Sequence, residues 1–428
     1  MRILAIETSC DETAIAITEF KPAQRSKKTE TSIRQHSSDR NNIDAPNELL
    51  KIKVLSNIVS SQVKLHAKFG GVVPNLAKRE HQKNLVPVFL KALKEAGLLK
   101  NPKHEAPAYV KTSAGKRNSK QHLNSKFQFL NSILEREPEL LEKFKKYALP
   151  LKPPKIDAIA VTYGPGLEPA LWVGINFAKA LSYIWGKPII PVDHMRGHLY
   201  SALIKEGKKI VKPDFPALAL LVSGGHTELI LMRGWDKFKI IGETLDDAAG
   251  EAFDKVARLL GLKYPGGPEI AGEAEKSIKH QLLSIKQIKL PRPMLNSPDF
   301  NFSFSGLKTA VLYLTRDLGF EQTKKLRPAI AAEFQNAVIQ VLVSKTIRAA
   351  KKYNAKTLLL GGGVAANKLL QTKLAEEIKK QIPDTKYLIP DNNLTGDNAL
   401  MIAVAAYFNQ KKTTRNNIRA VGDLRLTG

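Results

Sequence analysis

Cysteine is nearly absent: Cys10 is the single one in 428 residues, so no disulfide forms within the chain and a reducing compartment is expected. No stretch approaches the roughly 20 consecutive apolar residues that a bilayer span needs. The opening MRILAIETSC also lacks the apolar core and cleavage site of a secretory signal, so the expected location is cytoplasmic, with no membrane contact. Neither GxxxxGK[ST] nor a properly placed GxGxxG occurs, which excludes the P-loop and dinucleotide fingerprints, and no HExxH supplies the glutamate base of common zinc peptidases. No short-period repeat is present.

Acidic residues are also few, 40 against 67 lysines and arginines, for a formal charge of +27. Such an excess favours polyanions such as nucleic acid, although a generally basic proteome would produce it too. Hydrophobic residues at 43% and charged residues at 25% describe a globular protein with a sizeable core. At this length two domains are the natural expectation.

Residues 2–19 read as two short strands, RILAIE and TAIAITE, joined by a polar turn. Residues 21–53 and 99–155 read as polar insertions, the second containing one or two helices. They hold 8 basic against 4 acidic and 13 basic against 5 acidic residues, so much of the positive charge lies outside them. Residues 54–98 suggest two helices flanking Gly70-Gly71 and Pro74. After 156, strand-like runs (DAIAVTYG, KPIIPVD, FPALALLVSGG, TLLLGGG) alternate with helical ones, which implies an α/β architecture.

His194 and His198 in HMRGH follow a predicted strand at a spacing that puts both imidazoles on one helical face. They are either half of a metal site or two ordinary histidines. Asp397, in the turn-rich DNNLTGDNA, would complete a two-histidine, one-carboxylate set, or else cap the helix that follows. Gly224-Gly225, Gly266-Gly267 and Gly361 to Gly363 are read as glycine turns after strands, able to bring backbone N–H groups to phosphate oxygens or simply to turn tightly. The turn Glu7-Thr8-Ser9-Cys10-Asp11-Glu12 is either a phosphate-facing hairpin or a polar one. Asp254 either receives a ribose or faces solvent.

Together, IETSCDETAIAI, FGGVVPNLAKREH, TYGPGLEPALWVGINFAKAL, HMRGH, LVSGGHTELI, GEAFDKVARLLGLKYPGG, FSFSGLKTAV, GGGVAANKLL and GDNA resemble the tRNA N6-adenosine threonylcarbamoyltransferases, once called O-sialoglycoprotein endopeptidases. The resemblance covers residues 1–20, 54–98 and 156–428. It implies a two-lobed actin-like/Hsp70 ATPase fold (the ASKHA class), two related α/β domains around a nucleotide cleft. The division expected is 1–190 for one lobe, 191–394 for the other and 395–428 returning to the first. By likeness His194, His198 and Asp397 match metal ligands for one divalent ion, Fe2+ or Zn2+. Leu221, Val222, Ser223, Gly224, Gly225, Asp254, Gly267 and Asn367 match adenylate-binding positions, and Gly362 and Gly363 join them as part of the third glycine turn. Asp11 and Glu12 match an acidic pair near the reacting group.

The implied reaction moves threonylcarbamoyl from its adenylate to N6 of the adenosine at tRNA position 37, in tRNAs reading codons that begin with A, releasing AMP. The implied partners are tRNA, a paralogous actin-like subunit and a small ATPase. Two positions depart from the pattern: Arg196 stands where the family has Glu (HxEGH), and Asn75 replaces the Glu of GGVVPE. Arg196 raises the alternative of a tRNA-binding or assembly protein with a decayed site. A metallopeptidase and an actin-like sugar kinase are weaker alternatives.

Overall fold

A computed structural model of the chain describes residues 1–22, 48–99, 127–206, 209–279, 288–410, 413–414 and 417–426. The expectations for the bodies of both polar insertions, 23–47 and 100–126, lie outside the described residues.

Two sheets organise the chain. The first contains β1 (Arg2–Glu7), β2 (Glu12–Pro22), β3 (Glu48–Ser61), β4 (Ala158–Gly164), β5 (Ile189–Asp193), β6 (Ile204–Lys205) and β7 (Lys209–Val211), in the order β5-β4-β1-β2-β3-β7-β6. The second contains β8 (Ala217–Val222), β9 (Thr227–Gly234), β10 (Lys237–Glu243), β11 (Thr357–Gly361) and β12 (Lys386–Leu388), in the order β10-β9-β8-β11-β12. In each, three antiparallel strands continue into two parallel ones: β3-β2-β1-β4-β5 repeats as β10-β9-β8-β11-β12. The α/β fold of two related lobes expected from the sequence is thus present.

The helices that matter for the site are α1 (Pro74–Glu95), α2 (Glu168–Trp185), α3 (His194–Ser201), α4 (Ala249–Leu259), α5 (Gly266–Lys279), α6 (Ser305–Lys352), α7 (Lys368–Gln381) and α8 (Ala399–Phe408). Their ends follow local chemistry. Pro74 opens α1, where a missing N–H costs nothing, and Gly186 closes α2 in the left-handed conformation. Gly319, at φ 71°, interrupts α6.

Because successive strand residues face opposite sides, β1 divides its apolar residues between two cores. Leu4 and Ile6 pack with α1, α2 and Leu130, Leu134, Leu140 and Phe144 of the helical segment after 126. Ile3 and Ala5 pack toward α3, α8 and the inner residues of β8 and β11, so this second core is shared by both sheets. The outer face of the second sheet is covered by α4, α6 and α7. Each fully buried Leu or Ile contributes roughly 1.5–3 kcal/mol of transfer free energy. The second core therefore holds the strand ends of both lobes together.

Two expectations need correction. Residues 48–61, divided above between an insertion and a helix, form β3, paired along β2; only Val63–His66 and the 3-10 turn Ala67–Phe69 are helical before α1. A register shift at Ile17/Thr18 places Val54 opposite Thr18 and Ser56 opposite Ile17, leaving Leu55 as the extra bulge residue. That bulge breaks the two-residue alternation, and the apolar residues at 50, 54, 55 and 58 then imitate helical spacing. Gly266-Gly267 does not follow a strand either: it opens α5 just after α4.

Candidate metal centre and the turns around it

The chain leaves β5 and turns at once into α3. Asp193 caps that helix, its carboxylate accepting the N–H groups of Met195 (2.8 Å) and Arg196 (3.2 Å). The four-residue spacing then brings His194 and His198 edge to face, ring centroids 4.6 Å apart and planes at 85°. Asp397 arrives from the loop before α8, which packs on β1 and β2. Its Oδ1 lies 3.5 Å from His194 Nε2 and 3.1 Å from His198 Nε2. Asp397 does not cap α8; Asn398 does so, accepting the N–H of Met401 at 3.1 Å.

These three residues are a cluster whose donor atoms all lie within 4.8 Å of one another. Ligands about 2.1 Å from a common ion stand about 3.0–3.4 Å apart in octahedral or tetrahedral geometry, so the separations suit one cation. His198 adds a second sign: it is 1% exposed, and neither ring nitrogen has an aligned hydrogen-bond partner. A buried imidazole whose nitrogens make no aligned hydrogen bond is costly unless something else binds it. The residues fit a metal.

Glu7, at the end of β1, sits behind His194. His194 Nδ1 lies 3.3 Å from Glu7 Oε2 and 3.2 Å from Ser9 Oγ, an arrangement that puts the ring proton on Nδ1 and leaves Nε2 for a ligand role. Burial disfavours the His194 imidazolium, but Asp397 and Glu7 outweigh burial and push its pKa to about 9. Burial raises Glu7 and Asp397 likewise, yet His194 holds Glu7 below the usual range, and His194 with His198 holds Asp397 well below it. The pocket carries an excess of negative charge that a proton or a cation neutralises.

The acidic turn lies close by. Asp11 is buried with Oδ2 lacking a partner, and Glu12 accepts the Ser61 hydroxyl at 3.1 Å. Burial, then Asp397 and Asp11, raises the Glu12 pKa well above the ordinary value. From the second sheet, the turn between β8 and β9 closes on Ser223 and His226, Ser223 N donating to the His226 carbonyl at 2.8 Å. This leaves Gly224 and Gly225 exposed at the tip. A β-carbon at Gly224, Gly225, Gly267 or Gly363 would meet nothing within 4 Å, so their backbones border open space. Gly362 differs: at φ 87° its missing β-carbon would stand 2.3 Å from the Val222 carbonyl, which binds this turn to β8.

Leu221 and Val222 are buried strand residues of β8. Asp254 neither faces solvent nor stands alone, since its Oδ1 accepts the Gly266 N–H at 2.6 Å at the opening of α5. Asn367 caps α7, accepting the Leu370 N–H at 3.1 Å while its amide donates to Gln335 at 2.9 Å. Arg196 turns from the histidines to stack on Phe238, 4.9 Å from the ring centroid, with Asp236 at 3.8 Å. The sequence names Glu7 and Ser9 only as members of the polar turn, without their role behind His194, and does not single out His226. A carboxylate ending an apolar strand is the available signal for Glu7. His226 has no local signal; burial, then His194 and His198, lowers its pKa to about 4 and keeps it neutral beside the centre.

Comparison with known proteins supplies the family. The model of the family described as "TsaD: tRNA N6-adenosine threonylcarbamoyltransferase" matches residues 53–103 and 135–404. A Thermosipho africanus protein called tRNA N6-adenosine threonylcarbamoyltransferase is 40% identical over 428 residues, covering 100% of both chains. A Bacillus subtilis protein of the same name is 39% identical over 405 residues, covering 95% of this chain and 89% of its own. Among solved structures, T. kodakarensis HypF aligns with a TM-score of 0.45 at 13% identity, over 64% of this chain and 43% of that one, too loose a likeness to argue from. With a family model matching most of the chain and relatives at this identity and coverage, the chain belongs to the tRNA N6-adenosine threonylcarbamoyltransferase family.

Proposed function

We propose that the chain transfers the threonylcarbamoyl group from threonylcarbamoyl-adenylate to N6 of the adenosine at tRNA position 37, in tRNAs reading codons that begin with A. The observation that carries this reading is the convergence of the His194, His198 and Asp397 cluster with the acidic turn and open glycine backbones in a chain of this family.

An exocyclic adenine amine is a weak nucleophile and needs an activated carbonyl held against it. The amine lone pair forms the new C–N bond, the bond from the carbonyl carbon to the AMP phosphate oxygen breaks, and AMP leaves with that electron pair. Asp11 and Glu12 are the groups placed to accept the amine proton. The backbones at Ser223, Gly224, Gly225, Gly267 and Gly363 border the space for the adenylate, with Leu221, Val222, Asp254, Gly362 and Asn367 holding those turns in place. A divalent ion on His194, His198 and Asp397, Fe2+ or Zn2+ by this donor set, would orient the donor and polarise its oxygens. An unpaired anticodon-loop base is splayed out at little cost.

The charge of +27 suits tRNA phosphates. No helix of the described residues is long and apolar enough to cross a membrane. We assign a cytoplasmic location, with a paralogous actin-like subunit and a small ATPase as partners, and a division into lobes between β7 and β8 rather than at 190, because β5, β6 and β7 pair within the first sheet, with the chain returning to the first lobe after 394. Since Arg196 packs on Phe238 rather than into the histidine pair, its presence does not argue for a decayed site.

The deciding experiment supplies threonylcarbamoyl-adenylate and unmodified tRNA to the full-length protein with its partners and measures modified adenosine and AMP. Both products should require both substrates. Asp397→Ala should lose bound metal and about 10²–10³ in rate. Absence of product from the unmutated protein would sink the transfer reading; equal activity in Asp397→Ala would sink the metal centre.

A further inference from the structure

Beneath the acidic turn runs a line of buried polar groups that the transfer chemistry does not use. Val73 N–H donates to His66 Nδ1 at 3.3 Å, which leaves the His66 proton on Nε2, 3.1 Å from Gln62 Oε1. With its oxygen so engaged, the Gln62 amide presents Nε2 to His81 Nδ1 at 3.4 Å, where the Thr13 hydroxyl also approaches at 2.8 Å. His81 then carries its proton on Nε2 and donates it to the Cys10 carbonyl at 2.9 Å. The backbone N–H of Gln62 donates to the Asp11 carbonyl at 2.9 Å. One tautomer of each ring and one orientation of the amide satisfy every member of the chain.

Both histidines are fully buried, and burial lowers their pKa values and favours the neutral rings that the chain requires. His81 comes from α1, Gln62 follows β3, and His66 lies in the short turn between them, so three elements meet under two consecutive carbonyls. Beyond His66, the Gly70 carbonyl accepts from the Arg258 guanidinium, which reaches it from α4 of the other lobe. The geometry is more than a satisfied core: its two ends are the reactive turn and a contact between lobes.

We propose that His81 is a positioning residue for the transfer: with Gln62 and His66 it fixes the backbone of Cys10 and Asp11, and so the aim of the Asp11 and Glu12 carboxylates. This rests on the reading that the acidic pair works at the reacting group. A group displaced by about 1 Å costs on the order of a hundredfold in rate, so loss of this anchor acts on turnover rather than on tRNA binding.

The test has an activity arm and a spectroscopic arm, both on the full-length protein. His81→Ala should lower kcat about tenfold to a hundredfold with unchanged metal content and unchanged KM for tRNA. His81→Gln, whose amide can still donate to the Cys10 carbonyl, should recover part of the loss. NMR of protein labelled at histidine with nitrogen-15 should find His66 and His81 as the Nε2–H tautomer at neutral pH. That reading is independent of activity and stands even where a variant does not fold.

Wild-type kcat in His81→Ala, alongside inactive Asp11→Asn and Glu12→Gln, overturns the proposal and leaves the acidic pair in place. A proton on Nδ1 of either ring overturns it as well. Full activity in both acidic variants overturns the acidic-pair reading and the positioning role built on it, while the tautomers still report whether the chain of hydrogen bonds exists.

Discussion

In the seven-stranded sheet β1 ends on Glu7, which leads into Ser9, Asp11 and Glu12, and β5 ends on Asp193, which leads into His194. In the five-stranded sheet β8 leads into Ser223, Gly224 and Gly225, and β11 into Gly362 and Gly363. The two sheets share one strand order, yet the first delivers charged and imidazole side chains to its strand tips while the second delivers bare backbone. Side chains with an excess of negative charge suit a cation and a proton; exposed N–H groups without β-carbons suit an anion. The same topology thus serves both halves of a cleft for an activated nucleotide, and residue type alone assigns the halves.

The sharpest way to break that contrast lies within the second sheet, where not every glycine is there for a ligand. Gly362→Ala forces a β-carbon to 2.3 Å from the Val222 carbonyl at a φ of 87°, so chemical denaturation should find a loss of roughly 3 kcal/mol. Gly224→Ala projects into open space and should unfold as the parent does, its penalty falling on adenylate affinity. Equal destabilisation by both would mean that the open turns are structural.

A second measurement concerns the strand just after the Gly224 turn. Burial, then Glu243 and Asp193, raises the Glu228 pKa to about 7 from an ordinary 4.5, and its Oε2 has no partner. Between those values the folded protein holds a proton that the unfolded chain has released, so stability falls as pH rises through that window. Glu228→Gln should remove this slope and add roughly 2 kcal/mol at pH 7.5, read from melting curves across pH 5–8. An unchanged pH slope would place the group in a more solvated setting and weaken the picture of a second sheet that avoids charge.

The smallest effect is expected at Arg196 on α3. Its guanidinium packs on Phe238, so Arg196→Ala should cost about 1 kcal/mol in stability. Metal content should stay as it is. A change in metal content would show that its charge reaches the histidines and would blur the line between the charged tips and their packing.

Much of the fold was legible because its signals are local. RILAIE, DAIAVTYG and TLLLG are apolar runs bounded by turns, and each forms a strand. The strand at 48–61 was not legible because the bulge at Leu55 shifts its alternation, and pairing with β2 rather than local pattern decides its conformation. Gly266-Gly267 was misplaced because a glycine pair announces a turn without saying what precedes it. At the site, the four-residue spacing of the histidines was readable, whereas the support that Glu7 gives to His194 crosses 187 positions in sequence.

The sequence by itself determined the donor types, the placing of His194 and His198 on one helical face through helical periodicity, and the small residues at the strand tips. Only the tertiary structure decided that Asp397 meets them, because that depends on α8 packing on β1 and β2 and on Asn398 taking the capping role. It also decided that His198 is shut away from water with neither ring nitrogen in an aligned hydrogen bond, a property of everything packed around it. Local periodicity sets which way a side chain points along its own element; burial and the meeting of distant groups are set by packing, which no single stretch of sequence contains.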